Sequence, residues 1–383
     1  MGRPLLIGLH SPYWGSTLGG GEKYLGVTAE AIRDGFPGNR VEIRGPVPAD
    51  RERYESVLGL DLGGIELASV NRRVTPVHRL ANRMTPLRPL RNRVLAAQAA
   101  RSTARYDLYL AMAYRIPVHS RARRSVILCQ FPYRSREGVG EFQRVICQSE
   151  YVREWTRLYW EVDPLVVNPP IDRPDEEPEW ALKERRILSV GRFFAGGHSK
   201  RHDVLVEAFK RLCDGGLEGW RLDLAGSVHR EGPHRGYYER VRALAEGYPV
   251  DFHPDASLEQ LLELYRRASI YWHAAGLGSA KDDPEQREHF GMTVAEAMGY
   301  GAVPVVYAAG GVGEIVHDGT DGVHWESFEE LVDLTRLLAD DEPRRQELGE
   351  GARAASARFG RAVFKRKMAE ALAPLVEELA AGD

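Results

Sequence analysis

The sequence predicts an α/β protein made of two doubly wound parallel-sheet domains. Short β-rich runs alternate with amphipathic helical ones along both halves of the 383-residue chain, the pattern of parallel strands joined by crossover helices. Between the halves, "NPPIDRPDEEPE" (168–179) carries four prolines and a cluster of acids, which continue neither a helix nor a central strand. A chain of this length, 43% hydrophobic, can bury two or three cores rather than one.

In the first half the strand candidates are "PLLIGL" (4–9), "RVEIRG" (40–45), "IELASV" (65–70), "YDLYLAM" (106–112), "RSVILCQ" (124–130) and "RVICQS" (144–149). The second half repeats the scheme with "RILSVG" (186–191), "RLDLAG" (221–226), "VDFH" (250–253), "SIYWHA" (269–274) and "AVPVVY" (302–307), separated by helices such as 203–213 and 257–268. The boundary falls at the proline-rich break, giving domains 1–167 and 168–358 with a cleft between them. Ligands in open α/β sheets bind outside the carboxyl ends of the strands.

Composition narrows the function classes. No apolar run approaches the roughly 18 residues of a membrane span, and the start "MGRPLLIGLHSPYWG" has too short an apolar stretch for a signal peptide. A soluble, cytoplasmic protein is expected. Cys129, Cys147 and Cys213 lack metal-ligand spacing and read as reduced core residues. The net charge of −3 hides a stretch from Arg72 to Arg105 with nine arginines and no acid, followed by Arg115, Arg121, Arg123 and Arg124. That region, 72–124, reads equally as a solvated helical surface or as a contact for an anionic acceptor or the inner face of an anionic membrane. No recognition motif or aromatic platform points to nucleic acid.

Three loops carry candidate chemistry. After the first strand, Gly19, Gly20 and Gly21 precede a helix expected to start near Glu22; bare N–H groups at a helix start suit an anion, and a flexible turn fits equally. In "GRFFAGGHSKRHDVLVEAF", Arg192 sits at a strand end and Lys200 follows Gly196 and Gly197; two cations there can hold a diphosphate and neutralise it as it departs. In "QREHFGMTVAEAMGYGAVPVVYAAGG" (286–311), Glu288 precedes a glycine turn and Glu296 lies on the helix that follows. Carboxylates suit vicinal diols because each oxygen accepts one O–H bond. Thr293 to Glu296 also reads as a T-x-x-E capping box.

With these motifs in order, the chain resembles the retaining glycosyltransferases of family 4, which have the GT-B fold of two Rossmann-like domains facing across a cleft. The likeness rests on the E-x(7)-E pair Glu288 and Glu296, "AVPVVYAAGGVGEIV", "LGGGEKY", "SVGRFF" with its lysine, "LDLAGS", "LYRRASIYWHAAGLG" and "NPP" at the linker, and "EHFG" marks a mannosyltransferase-like subgroup. The resemblance implies an acceptor-binding first domain, a nucleotide-sugar-binding second domain, and a final helix within 359–383 crossing back onto the first. It implies Glu288 at the donor sugar, Glu296 at the ribose, and Arg192 and Lys200 at the diphosphate. N–H groups around Phe290, Gly291, Met292 and Thr293 would assist, Gly20 and Gly21 would approach from the first domain, and His273 would line the cleft wall. The catalytic set expected is Glu288, Arg192 and Lys200.

No metal and no cofactor is implied beyond the nucleotide-diphosphate sugar, GDP- or UDP-linked, with GDP-mannose slightly preferred; Asp282-Asp283 lacks D-x-D spacing. The acceptor class stays open among lipid-linked, polysaccharide and natural-product molecules. Relatives often carry a histidine where "CQFPY" has Gln130, which cannot act as a base, and His119 and His10 read as structural. The competing readings are a non-catalytic nucleotide-sugar-binding subunit and a sugar-nucleotide epimerase of the same fold.

Overall fold

The computed structural model describes residues 3–69, 99–114, 116–174, 178, 180–197, 199–280 and 283–382. Its chain divides into unit 1, Met1–Pro170 with Arg361–Asp383, and unit 2, Ile171–Gly360. The sequence placed these breaks at 167/168 and 358/359.

Unit 1 holds a parallel sheet ordered β3-β2-β1-β4-β5-β6-β7. Its strands are β1 (Leu6–His10), β2 (Arg40–Gly45), β3 (Ile65–Ser69), β4 (Leu108–Ala113), β5 (Arg124–Cys129), β6 (Arg144–Cys147) and β7 (Leu165–Val166). Unit 2 holds a parallel sheet ordered β10-β9-β8-β11-β12-β13. These are β8 (Glu184–Val190), β9 (Arg221–Gly226), β10 (Val250–Pro254), β11 (Ala268–His273), β12 (Val303–Tyr307) and β13 (Val323–Trp325). In each sheet the order reverses beside the first strand, between β1 and β4 and between β8 and β11, so the loops after those strands flank a topological switch point.

The central strands are buried on both faces, as crossover helices require: every residue of β4 and β11 is buried. Helices that cover the sheets begin at side-chain caps where the sequence supplies them, with Ser257 and Gln260, and Ser327 and Glu330, making reciprocal capping boxes. In unit 1 the final helix, Arg361–Ala381, lies against Gly20–Gly35. The Tyr24 and Phe364 rings meet edge to face at 5.2 Å, and buried Glu30 is neutralised by Lys365 at 2.7 Å and Arg361 at 3.6 Å.

Among the described arginines of 72–124, Arg105, Arg123 and Arg124 pair with Glu42, Asp107 and Glu378, all within unit 1. Residues 72–98 and Arg115 lie outside the described residues. Cys129 and Cys147 are free, buried and side by side in the β5–β6 register, and burial pushes the Cys129 thiol up to about 12. No helix among the described residues is long and apolar enough to cross a membrane.

In unit 2, His202 opens the helix His202–Asp214 and is wholly buried, stacked on Phe193 at 4.3 Å. Burial pushes its pKa down to about 3. The unfolded chain therefore binds the extra proton, so this contribution to stability is complete above pH 6.5 and is lost as pH falls towards 3, by about 1.4 kcal/mol per pH unit. His202→Phe keeps the stack and is expected to move the acid-unfolding midpoint of unit 2 to lower pH, read by circular dichroism across pH 3–7.

Candidate functional site

The carboxyl ends of β8 and β11 in unit 2 bring four of the candidate residues together. Beyond β8 the backbone runs on against the end of β9: Gly191 donates to the Ala225 carbonyl at 2.9 Å, and a Cβ on Gly226 would lie 1.9 Å from the Gly191 oxygen. A Cβ on Gly191 would lie 2.5 Å from Lys200 Cγ, so the lysine stem is laid across a bare stretch of backbone. The next residue, Arg201, adopts a left-handed conformation at φ 54°, which costs a non-glycine residue energy unless its surroundings hold it. Its guanidinium donates to the Leu277 carbonyl at 2.8 Å and pairs with Asp203 at 3.2 Å.

Glu288 is clamped through its backbone. Gly311 donates to the Glu288 carbonyl at 2.7 Å, and a Cβ on Gly310 would lie 2.2 Å from that same oxygen. This accounts for the glycine pair in "AAGGVGE". The Glu288 side chain, 17% exposed, makes an ion pair with Lys200, and the same oxygen accepts from His273 Nε2 at 3.2 Å. Burial alone would raise the carboxyl pKa; Lys200 and His273 outweigh it and hold Glu288 well below the usual value of 4.5. Burial lowers the His273 pKa, partly opposed by Glu288. A neutral His273 then carries its proton on Nε2, leaving the buried Nδ1 without a partner among the described residues.

Arg192 lies at the same strand end and is exposed, with its guanidinium over the Phe194 ring at 5.7 Å. Among the described residues no carboxylate pairs with it. Phe194 stacks on His234 at 3.8 Å, and His234 Nδ1 accepts from the Ala195 N–H at 3.1 Å. The strand end thus presents one neutralised cation and one free one, an arrangement suited to an incoming polyanion.

Glu296 lies on the helix Met292–Gly299, whose N-cap is Gly291 at φ 106°, a conformation that favours glycine. The T-x-x-E capping box is not formed. Thr293 Oγ1 accepts from Tyr271 at 2.8 Å, and Glu296 accepts from Tyr265 at 3.2 Å. Phe290 is buried and packs on Phe359 at 5.2 Å, so only its backbone faces the turn. Tyr265, Tyr271 and His234 were not singled out from the sequence; tyrosines inside otherwise apolar strand and helix runs, needing a partner once buried, were the available signal.

Gly20 and Gly21 belong to unit 1. The helix starts at Gly20, two residues before the expected Glu22, with Gly19 as N-cap. A Cβ on Gly21 would lie 2.3 Å from the Tyr114 hydroxyl. The loop before it is tied down: Trp14 is fully buried, and the Tyr54 hydroxyl accepts from Gly15 N–H and donates to the Thr17 carbonyl. His119 pairs with Glu141 at 2.9 Å and His10 contacts the Arg44 carbonyl at 3.0 Å, while Gln130, 8% exposed, follows β5. Asp282 lies outside the described residues.

The family model "Glycosyl transferases group 1" matches residues 171–355, which is nearly all of unit 2. Unit 2 is a group 1 glycosyl transferase domain. A D-inositol 3-phosphate glycosyltransferase of Xylanimonas cellulosilytica is 32% identical over 206 residues, 52% of this chain and 46% of that one. A GDP-Man:Man(3)GlcNAc(2)-PP-Dol alpha-1,2-mannosyltransferase of Neurospora crassa is 31% identical over 164 residues, 39% of this chain and 27% of that one. The matches thus span less than half the length of these curated relatives. Among solved structures, a glycosyltransferase from Rickettsia africae superposes with a TM-score of 0.70 at 17% identity, covering 97% of this chain and 99% of that one. Anabaena HepE in complex with UDP and glucose gives 0.66 at 16% identity, covering 96% and 99%. The group 1 domain and the sheet of unit 1 together have the GT-B fold.

The close approach of Gly191 to Lys200 yields a prediction. Gly191→Ala places a methyl group against the Lys200 stem, which can swing aside because it is flexible. Activity is expected to fall about tenfold, a barrier change of roughly 1.4 kcal/mol. The thermal midpoint should shift little, since surface rearrangements of this kind stay near about 0.5 kcal/mol. Parallel initial-rate and melting measurements check it.

Proposed function

We propose that the protein is a glycosyltransferase that moves a hexose from a nucleotide-diphosphate sugar to an acceptor with retention of configuration. One observation supports this above the others: Glu288 is held ionised by Lys200 and His273 near the strand end that carries Arg192, a cation with no carboxylate partner among the described residues. The family match to the surrounding residues adds to it. In this reading Arg192 and Lys200 take the diphosphate and stabilise its negative charge as the glycosidic bond breaks, which is the main task left to the protein. Glu288 accepts hydrogen bonds from the sugar hydroxyls, and Glu296 takes the ribose diol. The turn N–H groups of Gly291, Met292 and Thr293 assist, and Gly20 and Gly21 of unit 1 approach the phosphates or acceptor.

His273 has the buried position of a residue that orients Glu288. The leaving phosphate oxygen takes the acceptor proton on the same face of the sugar, and neither a metal ion nor a covalent nucleophile is required. GDP-mannose is placed ahead of UDP-linked donors because the sequence carries "EHFG" and the Neurospora relative is named for GDP-Man. The acceptor is lipid-linked, polysaccharide or natural-product in class, taken up by unit 1, with peripheral contact to an anionic membrane through 72–124.

The test is a thermal-shift series with GDP, UDP, ADP and dTDP, since a ligand that binds only the folded state raises the melting temperature. Stabilisation by one nucleotide that is lost in Glu296→Ala supports the reading. No stabilisation by any of them, or no loss in the variant, overturns it. The anomeric configuration of the product, read by NMR, decides retention.

A further inference from the structure

We infer that Tyr265 is a positioning residue for ribose recognition, acting through Glu296; this rests on the donor-site reading above. Tyr265 sits in the last turn of the helix Leu258–Arg267 and is 1% exposed. Its ring is fixed by two further tyrosines, stacking on Tyr300 at 5.7 Å and 14° and on Tyr271 at 6.3 Å and 30°. Its backbone is fixed too, because Lys183 Nζ donates to the carbonyls of Ala268 at 2.7 Å and Tyr265 at 3.4 Å. The one polar atom of this side chain donates to Glu296 Oε2 at 3.2 Å.

A phenylalanine would fill the same stacked slot, so the hydroxyl is what the position adds. A buried hydroxyl without a partner is costly, and here the partner is the carboxylate assigned to the diol. A diol is held bidentately only when both carboxylate oxygens lie in the right plane. A hydrogen bond to one oxygen from a ring that cannot move sets that plane before the nucleotide arrives, and pre-organisation of this kind reduces what binding must spend on ordering. Burial, then Glu296, raises the phenol pKa well above 10, so Tyr265 stays a donor across the working pH range and does not exchange its proton with substrate. Tyr271 does the equivalent for Thr293 on the same helix, so of these two buried tyrosines Tyr265 is the one bonded to the carboxylate.

The experiment compares the affinity of GDP and UDP with that of their 2′,3′-dideoxy counterparts, by calorimetry, for the wild type, Tyr265→Phe, Glu296→Ala and the double variant. Loss of one oriented hydrogen bond is worth about tenfold in affinity. Tyr265→Phe should therefore weaken the preferred ribonucleotide about tenfold and leave its dideoxy form unchanged. It should add nothing in the Glu296→Ala background. With the donor sugar, KM should rise while kcat stays within about twofold, the pattern of lost uniform binding. Equal weakening of both nucleotide forms, or no weakening, overturns the inference.

If Tyr265→Phe does not fold, 3-fluorotyrosine at position 265 keeps the ring and alters the donor. An affinity change confined to the ribonucleotide supports the inference, and any other pattern overturns it. A wild type that binds neither nucleotide, or a Glu296→Ala variant that keeps full ribose discrimination, fails the donor-site reading itself and the inference with it. A discriminating Glu296 with an indifferent Tyr265 fails the inference alone.

Discussion

Lys200→Ala is expected to lower kcat by about a thousandfold, the upper range for removing one pre-organised group that meets charge developing in the transition state. The change acts twice. On the proposed reading it removes one of the two cations that meet the departing diphosphate, and it strips Glu288 of its ion-pair partner. Breaking a largely buried pair by deleting one member costs about 3–5 kcal/mol, because the remaining charge is left uncompensated. The pH dependence follows from the same contact. In the wild type the depressed Glu288 pKa contributes stability that is present above pH 4.5 and lost as pH falls through the lower folded value. Without Lys200 the folded pKa rises, so the window below pH 4.5 narrows, less stability is lost on acidification and the loss is complete at a higher pH.

The double variant Lys200→Met with Glu288→Gln removes both charges and should recover most of the melting temperature while staying inactive. That outcome separates chemistry from stability. Measured rates and melting curves check the set, and a Lys200→Ala enzyme within about threefold of wild type in kcat would refute the leaving-group role.

That ion pair marks where reading from sequence stopped. Lys200 and Glu288 were both visible, each at the end of a strand-like run beside glycines, because strand period and turn chemistry are local signals. Their contact spans 88 positions in the chain, and local patterns do not report which loops the topology brings together. The same limit hid Tyr265, whose partner Glu296 lies 31 positions further along the chain, after β11. Thr293 and Glu296 satisfied a capping pattern, and tertiary partners claimed both side chains instead. Short strands were missed for another reason: β7 and β13 have two and three residues, too few for any alternation to register. What was legible was the long-range order of elements, since buried parallel strands show as continuous apolar runs whatever surrounds them.

Removing residues 361–383 is expected to abolish folding of unit 1 while leaving the sheet of unit 2 complete. The helix Arg361–Ala381 follows unit 2 directly in sequence, yet Phe364, Met368, Leu372, Leu375, Val376 and Leu379 are buried in the core formed with Leu25, Ile32 and β1 to β5. Each such side chain contributes roughly 1.5–3 kcal/mol on burial. Even with the allowance for a compact unfolded chain, their sum of about 10 kcal/mol matches the whole stability of an ordinary domain. The truncation also leaves Glu30 buried without Lys365 and Arg361, a further cost of several kcal/mol for an unpaired buried carboxylate. The full truncation should therefore be recovered as aggregate or as a species melting only as unit 2. Leu372→Ala is the graded version, losing about 2–5 kcal/mol. If hydrogen exchange finds unit 1 equally protected with and without the helix, its packing contributes nothing, and the two halves of the sequence would be separable at 360. If protection collapses across β1, β4 and β5 alone, the first sheet depends on the helix Arg361–Ala381, and unit 1 cannot complete its core before those residues are made.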